Sequence, residues 1–244
     1  MIRGLLFDLN GTLIDIRTDE GDPQTWRTTA DFLGYHGVRI TPEHLRIRYT
    51  ELNRKQRRES PETYPEFDAV KVFRDIIAET GRSTGTGRLG RCCAQVFRAA
   101  SLRQLVPYHG TARILELLQK KYRLAAVSDA QKLWAVPELR MTGLDAFFET
   151  SVISGDLGFR KPDSRLFEIA LRRLRLAPDE VIFTGNDMFR DVYGAHRAGL
   201  KTVFFKSNQG DHRFHGADPD YIIYRIEELP HAIEFLSGSP PGPD

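Results

Sequence analysis

Asp8-Leu9-Asn10-Gly11-Thr12 sets a carboxylate, an amide and a hydroxyl side by side, directly after the apolar run Leu5-Leu6-Phe7. Further along, Ser128-Asp129 ends a second apolar run, Lys161 sits in Gly158-Phe159-Arg160-Lys161-Pro162-Asp163, and Gly185-Asn186-Asp187 is soon followed by Asp191. A carboxylate can attack a phosphoryl or carbon centre and form a covalent intermediate. Several carboxylates in one pocket repel one another unless a cation lies between them. A few hard oxygen ligands suit Mg²⁺, which keeps waters and binds substrate phosphate. A hydroxyl and an ammonium can then hold the phosphate oxygens and offset charge in the transition state. Each residue also has a plainer reading. A lone aspartate at a strand end is a turn former or helix cap, and Ser128 alone would cap the following helix. A lone Lys161 would be a solvated surface residue. Asp187 and Asp191 could simply favour a helix N-terminus. The chemical reading therefore depends on these residues converging.

The elements that must bring them together can be read from hydrophobic runs. Ile2 to Phe7, Leu124 to Val127, Val181 to Thr184 and Thr202 to Phe205 are short and continuously apolar, as strands covered on both faces are. Phe147 to Ile153 offers a fifth strand or a short turn. Helical stretches at Ala112 to Lys120, Gln131 to Met141, Ser164 to Leu174 and Asp191 to Ala198 alternate with them. The expected fold class is α/β, a doubly wound, Rossmann-like parallel sheet. In such sheets ligands bind outside the carboxyl ends of the strands, where Asp8, Ser128 and Gly185 to Asp191 fall.

Residues 16–106 break the alternation. Amphipathic helical segments are expected at Gln24 to Tyr35, Pro42 to Arg58, Pro65 to Thr80 and Leu89 to Ala100, with no strand among them. The expected organisation is a core of residues 1–15 and 107–236, an inserted helical block of 16–106, and a frayed Pro/Gly/Ser-rich tail of 237–244.

Composition excludes several classes of function. With 35 basic and 33 acidic residues, the net charge of +2 gives no reason to expect a nucleic-acid or membrane partner. No apolar run approaches the length of a spanning helix, and the N-terminal stretch reads as a strand rather than a secretory leader. The two cysteines, Cys92 and Cys93, are adjacent, which rules out a disulfide framework and fits a reducing compartment. A cytoplasmic location is the default expectation, and monomer and homodimer both stay open.

In their order and placement these residues resemble the haloacid dehalogenase superfamily. Asp8-Leu9-Asn10-Gly11-Thr12 is similar to its first motif, D-x-D-G-T. Ser128 in AAVSDA resembles the second motif, Lys161 in GFRKPD the third, and GNDMFRDVYGAHRAG the acidic fourth. The resemblance implies a Mg²⁺-dependent phosphatase acting on a small phosphorylated metabolite. Asp8 would be the nucleophile, Thr12 and Ser128 would bind the phosphoryl group, and Lys161 would bridge the two. Asp8, Asn10 through its carbonyl, Asp187 and Asp191 would arrange the metal. Asn186 stands where many relatives carry the first acid of the fourth motif. The resemblance also implies a helical cap between the first and second motifs, matching the inserted block.

Asn10 is the departure with chemical consequences. The residue at this position in family phosphatases gives its carbonyl to the metal and its side chain works as general acid and base. An amide cannot shuttle a proton at neutral pH, and that help is typically worth about 10²- to 10⁴-fold. Asp15 is an alternative source, although a turn residue is its simpler reading. Two other functions stay open here. A dehalogenase-type enzyme, in which Asp8 displaces halide from carbon, needs neither acid nor metal. A weakened protein that binds a phosphorylated ligand needs no turnover.

Other features have plainer readings. Gly85-Thr86-Gly87-Arg88-Leu89-Gly90 spells a dinucleotide-loop pattern but follows no strand. Arg54-Lys55-Gln56-Arg57-Arg58 reads as a solvated helix face, with substrate steering second. Trp26, Phe32, Tyr35 and Phe73 lie at helical spacings and are expected to pack the block's own core.

Overall fold

The computed structural model describes residues 1–81 and 85–238; all but Ser237 and Gly238 of the expected tail lies outside the described residues. The chain runs through β1 (Gly4–Phe7), β2 (Ile14–Thr18), α1 (Pro23–Tyr35), α2 (Pro42–Glu59), α3 (Ala69–Glu79), α4 (Thr86–Ser101) and β3 (Leu102–Pro107). It continues through α5 (Thr111–Leu118), β4 (Arg123–Ser128), α6 (Lys132–Met141), β5 (Thr150–Ile153), α7 (Ser164–Leu174) and β6 (Val181–Gly185). A π-helical turn (Met188–Tyr193) leads into α8 (Gly194–Arg197), then β7 (Lys201–Phe205), β8 (Tyr221–Ile223) and α9 (Leu229–Leu236).

The six-stranded sheet has the order β5-β4-β1-β6-β7-β8, and every neighbouring pair is parallel. Strand β1 lies between β4 and β6, so the residues just past all three carboxyl ends share one edge. Side chains alternate across a strand, and the packing follows. Leu5 and Phe7 join Leu124, Ile182 and Val203 with Leu115 of α5 and Ile233 of α9. Leu6 faces the other way, into Phe183 and the buried stripe Leu166, Phe167, Ala170 and Leu171 of α7. Both sheet faces are dry, which is why these strands read as unbroken apolar runs.

The helices of residues 16–106 build a separate cluster from Trp26, Leu33, Leu45, Tyr49, Phe73 and Phe97, with Trp134 of α6 packed into it. Trp26 and Phe73 are core residues as expected, Phe32 is partly buried, and Tyr35 is exposed.

Two expectations need correction. Strands β2 and β3 form an antiparallel ribbon at the two junctions of the helical block, pairing Asp15 with Val106 and Arg17 with Gln104. This ribbon joins stretches far apart in sequence and carries mixed, half-buried side chains, so no local period announces it. Helix α3 starts at Ala69, not Pro65, because Asp68 caps it by accepting the Lys71 amide at 2.9 Å. The residues before it run extended. Glu66 donates its amide to Gly158 at 2.9 Å, Arg160 donates to the Tyr64 carbonyl at 2.9 Å, and Pro65 bridges Phe159 antiparallel. The helical block is thereby stitched to the loop that carries Lys161. Among the described residues no helix is long and apolar enough to cross a membrane. Gly85 opens α4 in a left-handed conformation with α3 before it, so the glycine pattern lacks a preceding strand.

Candidate active site

Asp8 leaves the end of β1, and its amide donates to Thr184 of β6 at 2.9 Å. The chain then reverses around the Leu9 carbonyl, which accepts the amides of Thr12, Leu13 and Ile14 at 2.9 to 3.2 Å. Gly11 sits in this turn at φ +84°, and a Cβ there would stand 2.3 Å from Asn186 Nδ2. Only glycine meets both demands. The turn folds Thr12 back so that its hydroxyl lies 3.2 Å from Asp8 Oδ2 and 3.0 Å from Asn186 Oδ1.

Lys161 arrives from the loop before α7. Its Nζ donates to Asp8 Oδ1 at 2.7 Å and to Asp191 Oδ1 at 2.6 Å. All three are buried, with exposures of 3% for Lys161, 5% for Asp8 and 1% for Asp191. Burial alone would lower the ammonium's pKa, but Asp191, Asp8 and Asp129 outweigh it and hold the lysine above its usual range. Burial pushes the Asp191 carboxyl up and the Asp8 charge adds to that, while Lys161 opposes both. Asp191 Oδ2 accepts the amides of Asn186 and Asp187, each at 3.0 Å. These bonds lock the fourth strand-end segment against the lysine. Gly185 permits the approach, since a Cβ there would meet the Asp191 side chain at 2.5 Å.

Asp187 has a different employment. Its Oδ1 caps the π-helical turn by accepting the amides of Phe189 (3.1 Å) and Arg190 (2.7 Å). Its Oδ2 takes the Arg190 guanidinium at 2.9 and 2.8 Å and the Asp211 amide at 3.1 Å. Burial works against its charge, yet Arg190 and these amides hold its carboxyl below the usual range. The sequence-derived set of Asp8, Asn10, Asp187 and Asp191 is therefore divided: Asp191 joins Asp8 through Lys161, and Asp187 is committed elsewhere. Among the described residues no three His, Cys, Asp or Glu side chains gather as a metal-holding group. The oxygens beside Asp8 still suit a hard cation. Neither the Asn10 carbonyl nor its side chain has a hydrogen-bond partner among the described residues, and Asn186 Oδ1 adds a neutral donor. Few, hard and mostly uncharged oxygens fit a Mg²⁺ ion that keeps several waters.

Ser128 ends β4 with its Oγ buried and without a partner, as is Thr184 Oγ1. Orphaned buried hydroxyls are costly unless a ligand or water completes them. The neighbouring Asp129 accepts the Lys161 amide on Oδ1 at 2.9 Å, while its Oδ2 is buried and unpartnered. Sequence reading noted Asp129 only as part of a strand end; its adjacency to Ser128 was the available signal. Asp15, the alternative acid, lies on β2 and binds the Gln104 and Gln209 amides at 2.5 and 2.7 Å.

The helical block covers this edge. Tyr64 packs edge-on against Phe189 at 6.1 Å, and Glu66 accepts from Ser154 Oγ at 2.8 Å. Arg57 of α2 lies over the Phe67 ring at 5.2 Å and 3.4 Å from Glu66. Burial lowers its pKa and the nearby Arg160 charge lowers it further, while Asp129 draws on the same guanidinium. One arginine of the basic run is thus half-buried and within electrostatic reach of Asp129.

Fold and site together define a doubly wound α/β protein with a buried carboxylate–lysine centre at its topological switch point. The family model for haloacid dehalogenase-like hydrolases matches residues 2–199, and the chain belongs to that family. It is 32% identical over 126 residues to the glyceraldehyde 3-phosphate phosphatase of Pyrococcus furiosus, a match spanning 50% of this chain and 51% of the relative. The enzyme of the same name from Methanothermobacter thermautotrophicus is 34% identical over 157 residues, 57% of this chain and 69% of the relative. The first match thus spans about half of the relative's length. Among solved structures, a 2-haloacid dehalogenase from Pseudomonas syringae superposes with a TM-score of 0.69 at 22% identity, covering 96% of this chain and 99% of that one. At that identity the likeness speaks for the fold.

Proposed function

We propose that this hydrolase is a Mg²⁺-dependent phosphatase of a small phosphorylated metabolite, working through a phosphoryl group carried on Asp8. The observation that carries the reading is Lys161 Nζ set between Asp8 Oδ1 and Asp191 Oδ1, with Thr12 on the other Asp8 oxygen. The ammonium pairs with Asp8 Oδ1 and aims the carboxylate, as a nucleophile must be aimed. Thr12, Ser128 and Lys161 would bind the phosphoryl oxygens, and the orphaned Ser128 hydroxyl supplies a donor already stripped of water. The cation would be held by Asp8, the Asn10 carbonyl and Asn186, with Asp187 and Asp191 fixing the turn around it. When bound, it would neutralise phosphate charge.

The phosphatase names of the similar chains support the substrate class. We read residues 1–15 and 107–236 as the catalytic core and 16–106 as a cap that excludes water and selects the substrate. Arg57 and Arg160 add positive charge on the cap side, in keeping with an anionic substrate. A cytoplasmic workplace suits a phosphatase of small metabolites.

The test is phosphate release from a panel of phosphomonoesters with and without Mg²⁺. Asp8→Asn should abolish turnover. Asn10→Asp should raise it on esters with poor leaving groups, because it adds a carboxyl able to give and take a proton at that place. Halide release from haloacids that survives chelation, with no phosphate release, would overturn the reading in favour of carbon chemistry.

A further inference from the structure

Asn10 leaves the phosphatase reaction without a proton carrier at its usual place, yet an alkoxide leaves poorly without a proton and water attacks poorly without a base. Among the described residues, one buried carboxylate oxygen of the site has no hydrogen-bond partner. Asp129 Oδ1 is held by the Lys161 amide at 2.9 Å, which fixes the carboxyl group's orientation, and Oδ2 is buried with no partner among the described residues. The residue follows Ser128, the proposed phosphoryl-binding hydroxyl, at the same strand end. It is not among the proposed metal ligands.

We propose that Asp129 carries the proton that Asn10 cannot, acting as general acid to the leaving group and then as general base to water. In the first half-reaction a bond forms between Asp8 and phosphorus while the bond from phosphorus to the leaving oxygen breaks. The Asp129 carboxyl proton passes to that oxygen. In the second half-reaction a water oxygen bonds to phosphorus as the Asp8 bond breaks, and the water proton passes to the Asp129 carboxylate. Phosphate departs and the acid is restored. No oxidant or co-reactant is needed.

The surroundings suit a group that must both give and take a proton near neutrality. Burial pushes the Asp129 carboxyl up to about 6; Lys161 and Arg190 pull it down, and Asp8 pushes it up. Arg57 faces it from the helical block. The charges that act on it come from Asp8 at the end of β1, Lys161 in the loop before α7, Arg190 in the π-helical turn and Arg57 of α2.

The proposal rests on the phosphatase reading, and its test separates the two. Phosphate release from glycerol phosphate and from p-nitrophenyl phosphate, at saturating Mg²⁺, is compared in wild type, Asp129→Asn, Asn10→Asp and the double variant. Asp129→Asn keeps an acceptor for the Lys161 amide and removes only the proton. It should lower turnover of the alkyl ester by about 10²-fold and of the nitrophenyl ester much less, because a good leaving group needs no acid. In the Asn10→Asp background the same change should cost little. Wild-type kcat/KM for the alkyl ester should fall as pH rises through about 6, where the acid form is lost. Phosphate esters titrate near the same pH, so the Asp129 limb is the difference between wild type and Asp129→Asn. Equal losses in both backgrounds, or alkyl-ester turnover unchanged in Asp129→Asn, would overturn the assignment. No phosphate release from either wild type or Asn10→Asp would overturn the phosphatase reading, and the assignment with it.

Discussion

Buried carboxylates occur in two regions of this molecule, and they are provisioned differently. Along the seam between the helical block and the sheet, Glu138 and Glu66 each pair with a different arginine. Glu138 holds Arg98 at 2.5 Å, and Glu66 lies 3.4 Å from Arg57. At the sheet edge, Asp8 and Asp191 share the Lys161 ammonium and Asp129 draws on the same charge. A matched pair is quiet: its charges are settled and it orients the chains that carry it. Burial raises the Asp129 and Asp191 carboxyls, the Asp8 charge adds to it, and one shared lysine only partly opposes both, which leaves negative charge for a cation to meet. The seam is built to hold, and the edge is built to react.

Breaking the edge should give the largest effect. Lys161→Met removes the one cation between Asp8 and Asp191, and turnover should fall by about 10³-fold or more, roughly 4 kcal/mol of barrier. Steady-state phosphate release measures it, and activity within tenfold of wild type would mean that the lysine is not central. The complementary break is Glu138→Gln, which strands Arg98 in a buried place. It should cost about 3 kcal/mol of folding stability in denaturant titration, while the chemical step changes little. If Glu138→Gln instead abolished turnover without loss of stability, the division between a holding seam and a reacting edge would fail.

Much of this was legible in the sequence where local pattern decides. The four central strands declared themselves because both faces are buried, leaving no polar alternation. Asp8, Ser128 and Lys161 were readable as strand-end or connecting residues in a fixed order. The β2–β3 ribbon was not, since its partners lie far apart in sequence and its faces are mixed. Strand β8 has three residues at the sheet edge, too few to show a period. The fates of Asp187 and Asp191 were equally hidden. Four positions apart, they look like neighbours on one helical turn. Asp187, however, is an extended cap outside a π-helical turn, and the altered winding turns only Asp191 toward Lys161. Asp129 was visible at its strand end, but its unpartnered oxygen appears only when the Lys161 loop folds over it.

The central claim is that Asp8 carries the phosphoryl group. Its most direct test is acid quench of enzyme turning over a phosphomonoester with Mg²⁺, followed by mass spectrometry of the peptide containing Asp8. The predicted result is a phosphoryl adduct on Asp8 that accumulates in Asp129→Asn with the nitrophenyl ester, where the second half-reaction lacks its base. Phosphate release with no adduct on Asp8, and persisting in Asp8→Asn, would contradict it.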